Sequence, residues 1–130
     1  MSEGLVVRKL EDCALVEEAQ PVVTALKKMS KYGLGLCVVV NKSGAICGVL
    51  TDGDIRRRVV ALNEQLSHFF TRPVQDICNF DYICIKKSGR NGFKREEVIR
   101  LFKNNRIAAL PVVNEDGALV GVVEAIDCLN

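Results

Sequence analysis

The sequence has no tryptophan and a single histidine, His68, and its two Tyr and five Phe bring aromatics to only 5%. A lone histidine excludes a His-based catalytic triad and a multi-histidine metal cluster. Basic residues lie scattered among acidic ones, and without aromatics interleaved they argue against a nucleic-acid surface. Even the run Arg56-Arg57-Arg58 would spread around more than half of a helix axis, which reads as a solvated face. No stretch approaches the roughly 20 apolar residues that cross a bilayer, and the N-terminus lacks the charged-then-apolar layout of a signal peptide. A cytoplasmic protein with no membrane partner is expected. An excess of one charge is missing as well: 18 Lys and Arg face 16 Asp and Glu, leaving +2, too weak a field to demand a polyanion. Six cysteines are present, but no two form a C-x-x-C pair, so neither a zinc site nor a redox dithiol is indicated. Cys37, Cys47 and Cys84 sit inside the apolar runs LGLCVVV, AICGVL and YICI, where cysteine serves as a small buried hydrophobe.

What is present is a globular composition and a repeat. At 130 residues, 48% hydrophobic and 26% charged, the chain can bury about two-thirds of its unfolded surface. Slid against itself, Val39 to Asp54 (VVNKSGAICGVLTDGD) lies over Val112 to Asp127 (VVNEDGALVGVVEAID) without a gap. Eight of these sixteen positions are identical, among them Asn41 with Asn114, Gly48 with Gly121 and Asp54 with Asp127, which is enough to read an internal duplication. VRKL at Val7 to Leu10 matches VQDI at Val74 to Ile77 in a shorter register, so the second half carries an insertion, placed at the Gly-rich piece Ser88 to Phe93. That piece lacks P-loop spacing and reads as an exposed, mobile loop.

Each copy has the same plan. A short apolar run (Ala14 to Val16; Tyr82 to Ile85) precedes a helix, which in the first copy starts near Pro21, a favourable first-turn residue. Val22, Leu26 and Met29 recur at helical spacing with Lys27, Lys28 and Lys31 facing out; Val98, Leu101 and Phe102 form the second stripe. Gly33 ends the first helix. Then come two apolar runs joined at Lys42-Ser43-Gly44, and their counterparts joined at Glu115-Asp116-Gly117, a hairpin signature. A second helix buries Ile55, Val59 and Leu62. The predicted fold is α+β: two repeats of strand, helix, strand, strand, helix, spanning 1–66 and 67–130, packed with pseudo-two-fold symmetry. LNEQLSHFFTRP reads as the linker, with His68 on its surface and Phe69 and Phe70 packing it onto the sheets.

This arrangement, with GVLTDGDIRRR at Gly48 to Arg58, resembles a tandem pair of CBS domains, the regulatory module named after cystathionine β-synthase and also called a Bateman module. The likeness covers nearly the whole chain. It is greatest to the CBS pair that follows the sugar-isomerase domain of arabinose-5-phosphate isomerases, enzymes of lipopolysaccharide sugar synthesis. Next is the CBS pair of some sugar nucleotidyltransferases. The resemblance implies a non-catalytic module that binds a nucleotide such as AMP or ATP, or a CMP-sugar, between its repeats, with no other cofactor. It also implies a homodimer and an attached isomerase or other catalytic domain as partners.

The family motif G-x-x-[Ser or Thr]-x-x-D is met by Gly48, Thr51 and Asp54. A carboxylate at Asp54 could grip both ribose hydroxyls, and Thr51 with free amides at the helix start would suit a phosphate. Arg56 and Arg57 would add charge, though sequence leaves open which of Arg56 to Arg58 faces the ligand. By the same likeness the base would rest against the turns at Gly35 and Leu36 and at Ala108 and Ala109. Thr51 or Asp52 acting merely as a helix cap is the alternative reading. In the second copy Asp127 remains, but Glu124 stands where Thr51 would be, so that copy should not favour phosphate. Asp52-Gly53-Asp54 is not a calcium loop, since Asn63 stands where a bidentate Glu is needed. A structural dimerisation module with no ligand remains the rival function. The chain ends three residues after Asp127, where the first copy continues a helix, implying a short helix or a piece of a longer protein.

Overall fold

The computed structural model describes residues 7–87, 94–105 and 107–128. In chain order the elements are β1 (Arg8–Lys9), β2 (Leu15–Glu17), α1 (Val22–Tyr32), β3 (Leu36–Val40), β4 (Ile46–Thr51), α2 (Asp52–Val60), α3 (Leu66–Thr71), β5 (Ile85–Lys86), α4 (Arg95–Asn105), β6 (Ala109–Val113) and β7 (Leu119–Glu124). Short 3-10 turns occupy Leu10–Asp12, Val74–Asp76 and Ala125–Cys128. The expected α+β repeat is present in both halves, except that the last element of the second is only that final turn. The predicted insertion at Ser88 to Phe93 lies outside the described residues.

The chain forms two compact units, residues 13–82 and residues 1–12 with 83–130. In the first, β2 runs parallel to β3 and β3 antiparallel to β4. In the second, the sheet order is β1-β7-β6-β5, with β5 parallel to β6 and the other pairs antiparallel. Both hairpins are built alike. Asn41 Oδ1 accepts from the Ser43 and Ala45 amides and Gly44 takes φ 85°; Asn114 Oδ1 accepts from Asp116 and Ala118 and Gly117 takes φ 84°. An Asn that closes its own turn and a glycine free to adopt positive φ explain why these two positions repeat.

Helix α1 begins after Pro21 and ends at Gly33, whose φ of 65° gives the left-handed cap. Val22, Ala25 and Met29 are buried beneath it. Lys28 departs from the outward orientation expected of it: it is half-buried, and its Nζ donates to the Leu15 carbonyl at 2.7 Å.

The first compact unit continues beyond residue 66. The stretch read as a linker contains α3, and Phe69 is buried with Val22, Ala25 and Val74 in the first core. The backbone just beyond is tied to the entry of α1: Val22 N donates to Arg72 O at 2.9 Å, Val74 N to Gln20 O at 2.8 Å and Gln75 N to Glu18 O at 3.0 Å. At the other end β1 belongs to the second sheet, pairing Arg8 with Val122 and Lys9 with Gly121.

All six cysteines are free thiols. Cys13, Cys37, Cys78 and Cys128 are buried, while Cys47 and Cys84, expected in the core, are half-exposed. Burial pushes the Cys37 thiol from 9.0 up to about 12, against the pull of Lys28. The unfolded chain therefore loses this proton above pH 9 while the folded chain keeps it, so stability is full below pH 9 and falls as pH rises toward 12. The slope from this thiol reaches about 1.4 kcal/mol per pH unit. Urea unfolding of the chain and of Cys37→Ala should converge in midpoint between pH 8 and pH 10.5; parallel curves would mean that Cys37 ionises as freely folded as unfolded.

Candidate functional site

The turn from β4 into α2 carries the motif. Thr51 is the N-cap in extended conformation, and its Oγ1 accepts from the Asp54 amide at 3.1 Å. Asp54 Oδ2 returns the contact, accepting from the Thr51 amide at 3.1 Å. This reciprocal capping box satisfies two amides that would otherwise lack partners and starts α2 at a fixed place. The cap is therefore Thr51, not Asp52. The Asp52 amide goes elsewhere, to the Gly35 carbonyl at 3.1 Å, so the helix start offers fewer free amides than expected.

Two further groups complete the geometry. Asp54 Oδ1 accepts from Arg57 Nη2 at 2.8 Å. Arg57 and Arg58, with Asp54, Cys78 and Asn79, line a cleft of about 330 Å³. Arg58 also borders a second cleft, of about 280 Å³, against Phe69 and Arg72. Arg72 is already committed to Glu64 at 2.9 Å, and Glu64 also pairs with exposed His68. Among the described residues, Arg58 has no ion-pair or hydrogen-bond partner. Of the three consecutive arginines, Arg57 and Arg58 thus face the Asp54 cleft and Arg56 does not line it. Sequence singled out Arg56 and Arg57 but left open which of Arg56 to Arg58 faces the cleft, because helical phase relative to a neighbouring segment, 77–79, is not written in the run itself.

Gly35 and Leu36 stand beside this turn through the sheet: Leu36 pairs with Thr51, and an added Cβ on Gly35 would lie 3.2 Å from Asp52 Oδ2. The Leu36 side chain is buried, leaving mainly backbone at that edge. In the second unit the same juxtaposition recurs, with Ala109 paired to Glu124 and the Ala125 amide donating to Ala108 O at 2.8 Å. There Glu124 makes no side-chain cap hydrogen bond among the described residues. Its carboxylate is bound by Arg8 Nη2 at 2.9 Å, so the charge that replaces Thr51 is met by a guanidinium from β1. Asp127 is half-buried in the following turn and has no hydrogen-bond or ion-pair partner among the described residues. The two turns thus present different groups, a Thr51–Asp54 capping box in the first unit and an Arg8–Glu124 ion pair in the second.

Gly48 and Gly121, the motif glycines, have a reason independent of any ligand. A Cβ on Gly48 would lie 2.9 Å from Cys78 Sγ and 3.1 Å from Asn79 O; on Gly121 it would lie 2.1 Å from Arg8 O. In each unit another backbone segment crosses directly over the glycine. Among the described residues, no group of three or more His, Cys, Asp or Glu could hold a metal ion, and no helix is long and apolar enough to cross a membrane.

Comparison with known proteins places these features in context. The family model described as CBS domain matches residues 7–61 and 74–130. The arabinose 5-phosphate isomerase KdsD of Pseudomonas aeruginosa is 31% identical over 129 residues, an alignment covering 93% of this chain and 37% of that protein. The arabinose 5-phosphate isomerase GutQ of Escherichia coli is 30% identical over 106 residues, covering 82% and 30%. The chain thus spans about a third of the length of these curated relatives. Among solved structures, CBSX2 in complex with AMP matches with a TM-score of 0.77 at 20% identity, over 95% of this chain and 89% of that one. The cytosolic domain of the Mg2+ channel MgtE in complex with ATP matches with a TM-score of 0.70 at 27% identity, over 91% and 44%. With both repeats matched and the strand-helix-hairpin plan present in each unit, the chain belongs to the CBS domain family as a tandem pair.

Proposed function

We propose that this CBS pair is a regulatory, non-catalytic module that senses a nucleotide or sugar nucleotide at the Thr51–Asp54 turn, as part of an arabinose-5-phosphate isomerase. The observation that carries this reading is a carboxylate and two guanidinium groups converging on one cleft: Asp54 with Arg57 and Arg58. That set suits a ligand with a cis-diol and an anionic group, since a carboxylate accepts from two hydroxyls and guanidinium groups bind phosphate oxygens. The ATP complex of the 27%-identical MgtE domain supports the ligand class. KdsD and GutQ support the parent enzyme. Gly35 and Leu36 would border the base in the first unit. In the second, Ala108 and Ala109 would do so with Asp127 as the hydroxyl acceptor, and Arg8 beside Glu124 tempers the repulsion of an anion. Binding would shift the population of conformations felt by an attached catalytic domain, in a cytoplasmic homodimer.

Calorimetric titration with AMP, ATP, CMP, a CMP-linked sugar acid and arabinose 5-phosphate tests this. One saturable ligand is expected, weakened at least about tenfold by Asp54→Asn. That variant keeps an oxygen to accept from the Thr51 amide, so its thermal midpoint should stay near that of the parent chain. Silence across the panel, with a dimer seen by light scattering, would favour a structural dimerisation module and leave the Thr51–Asp54 pair as a helix cap.

A further inference from the structure

The carboxylate proposed to hold the ribose is already engaged from two sides. Oδ2 is fixed by the Thr51 amide and Oδ1 by Arg57, one turn along the same helix. The guanidinium lies back across the start of α2: a Cβ placed on Gly53 would stand 3.1 Å from Arg57 Nη1 and 3.5 Å from Nη2. Glycine at 53 thus leaves room for Arg57 to reach Asp54. Among the described residues Asp54 is the carboxylate that Arg57 pairs with, and the pair faces the cleft together.

Resting on the nucleotide-sensing reading, we infer that Arg57 is an internal latch on Asp54 that makes the site select nucleotides over nucleosides. A ribose hydroxyl donating to Oδ1 shares that oxygen with Arg57 and competes with it for the carboxylate's charge. A neutral nucleoside weakens this ion pair and offers the guanidinium nothing beyond water in return. A phosphate-bearing ligand takes the guanidinium over, exchanging one charge-assisted contact for another. Discrimination therefore arises twice from one side chain: Arg57 opposes the ribose when phosphate is missing and binds the phosphate when it is present. Arg58, which faces the same cleft without a hold on Asp54, adds attraction for the anion but no penalty on the nucleoside.

The test is titration of AMP against adenosine and CMP against cytidine, using the chain, Arg57→Ala, Arg57→Lys and Lys27→Ala. Lys27 is exposed on α1, so its replacement removes the same charge without touching the latch. Arg57→Ala should bind the nucleotide about tenfold more weakly, the scale of one charge-assisted hydrogen bond, and the nucleoside about threefold more tightly, the scale of an exposed ion pair. Arg57→Lys should retain part of the preference, and Lys27→Ala all of it. If Arg57→Ala weakens nucleoside and nucleotide together, or if Lys27→Ala reproduces its effect, Arg57 is not a latch even though the site binds nucleotides. If the unaltered chain binds neither nucleotide nor nucleoside, the nucleotide reading itself fails and takes the latch with it.

Discussion

Gly121→Ala is expected to release β1 from the second sheet and to cost about 2–4 kcal/mol. The added methyl would stand 2.1 Å from Arg8 O and 2.9 Å from Val7 Cγ1, so a backbone carbonyl, not a flexible side-chain tip, has to move by more than an ångström. Overpacking alone costs about 1–3 kcal/mol. Moving Arg8 also withdraws the guanidinium from Glu124, whose side chain is 13% exposed, and an orphaned, largely buried carboxylate adds to the loss. Gly48→Ala should be milder, because its nearest neighbour, at 2.9 Å, is the Cys78 thiol, which can rotate. Urea unfolding should rank the parent chain above Gly48→Ala and that above Gly121→Ala, with faster tryptic cleavage after Arg8 and Lys9 in the last. Equal stability and equal cleavage for Gly121→Ala would mean that β1 does not lie on β7.

These glycines also mark the limit of what the sequence discloses. The duplication puts Gly48 over Gly121, and the positive φ of Gly44 and Gly117 follows from the turns they close. Why residues 48 and 121 must lack a side chain does not follow, because the segments that cross them, around Asn79 and Arg8, lie 31 and 113 residues away in the chain. Local pattern specifies hairpins, caps and buried stripes; partners distant in sequence decide which unit a segment joins. This is why both repeats were legible while the docking of 66–75 onto the first unit was not.

The site shows the same boundary. Thr51 and Asp54 were legible as a pair, but the alternatives of helix cap and ligand contact are not exclusive: the structure makes them a capping box, while Asp54 Oδ1 points to Arg57. Glu124 was legible as a departure from the motif. Its neutralising partner Arg8 was not, since the pairing depends on β1 joining the far end of the chain. Among three adjacent arginines, only packing against 77–79 distinguishes Arg58 from Arg56.

Phe69→Ala should be the most damaging truncation in the stretch read as a linker, at about 3–5 kcal/mol. Helix α3 has six residues and no side-chain cap at Gln65, too little to hold a helix by itself. What holds it is Phe69, 1% exposed within the first core, together with the backbone bonds from 72–75 to 18–22. Its neighbours provide a graded control. Phe70 is half-buried and meets Phe69 edge to face at 5.3 Å, so Phe70→Ala should cost about 1–2 kcal/mol. His68 is 70% exposed, and His68→Ala should fall within about 0.5 kcal/mol of the parent chain. Unfolding midpoints should follow the order His68, Phe70, Phe69. Amide exchange in Phe69→Ala should rise first in β3, whose Cys37 and Val39 share that core. If Phe69→Ala unfolds no earlier than His68→Ala, the segment 66–71 is not docked and the first unit ends where the sequence repeat does.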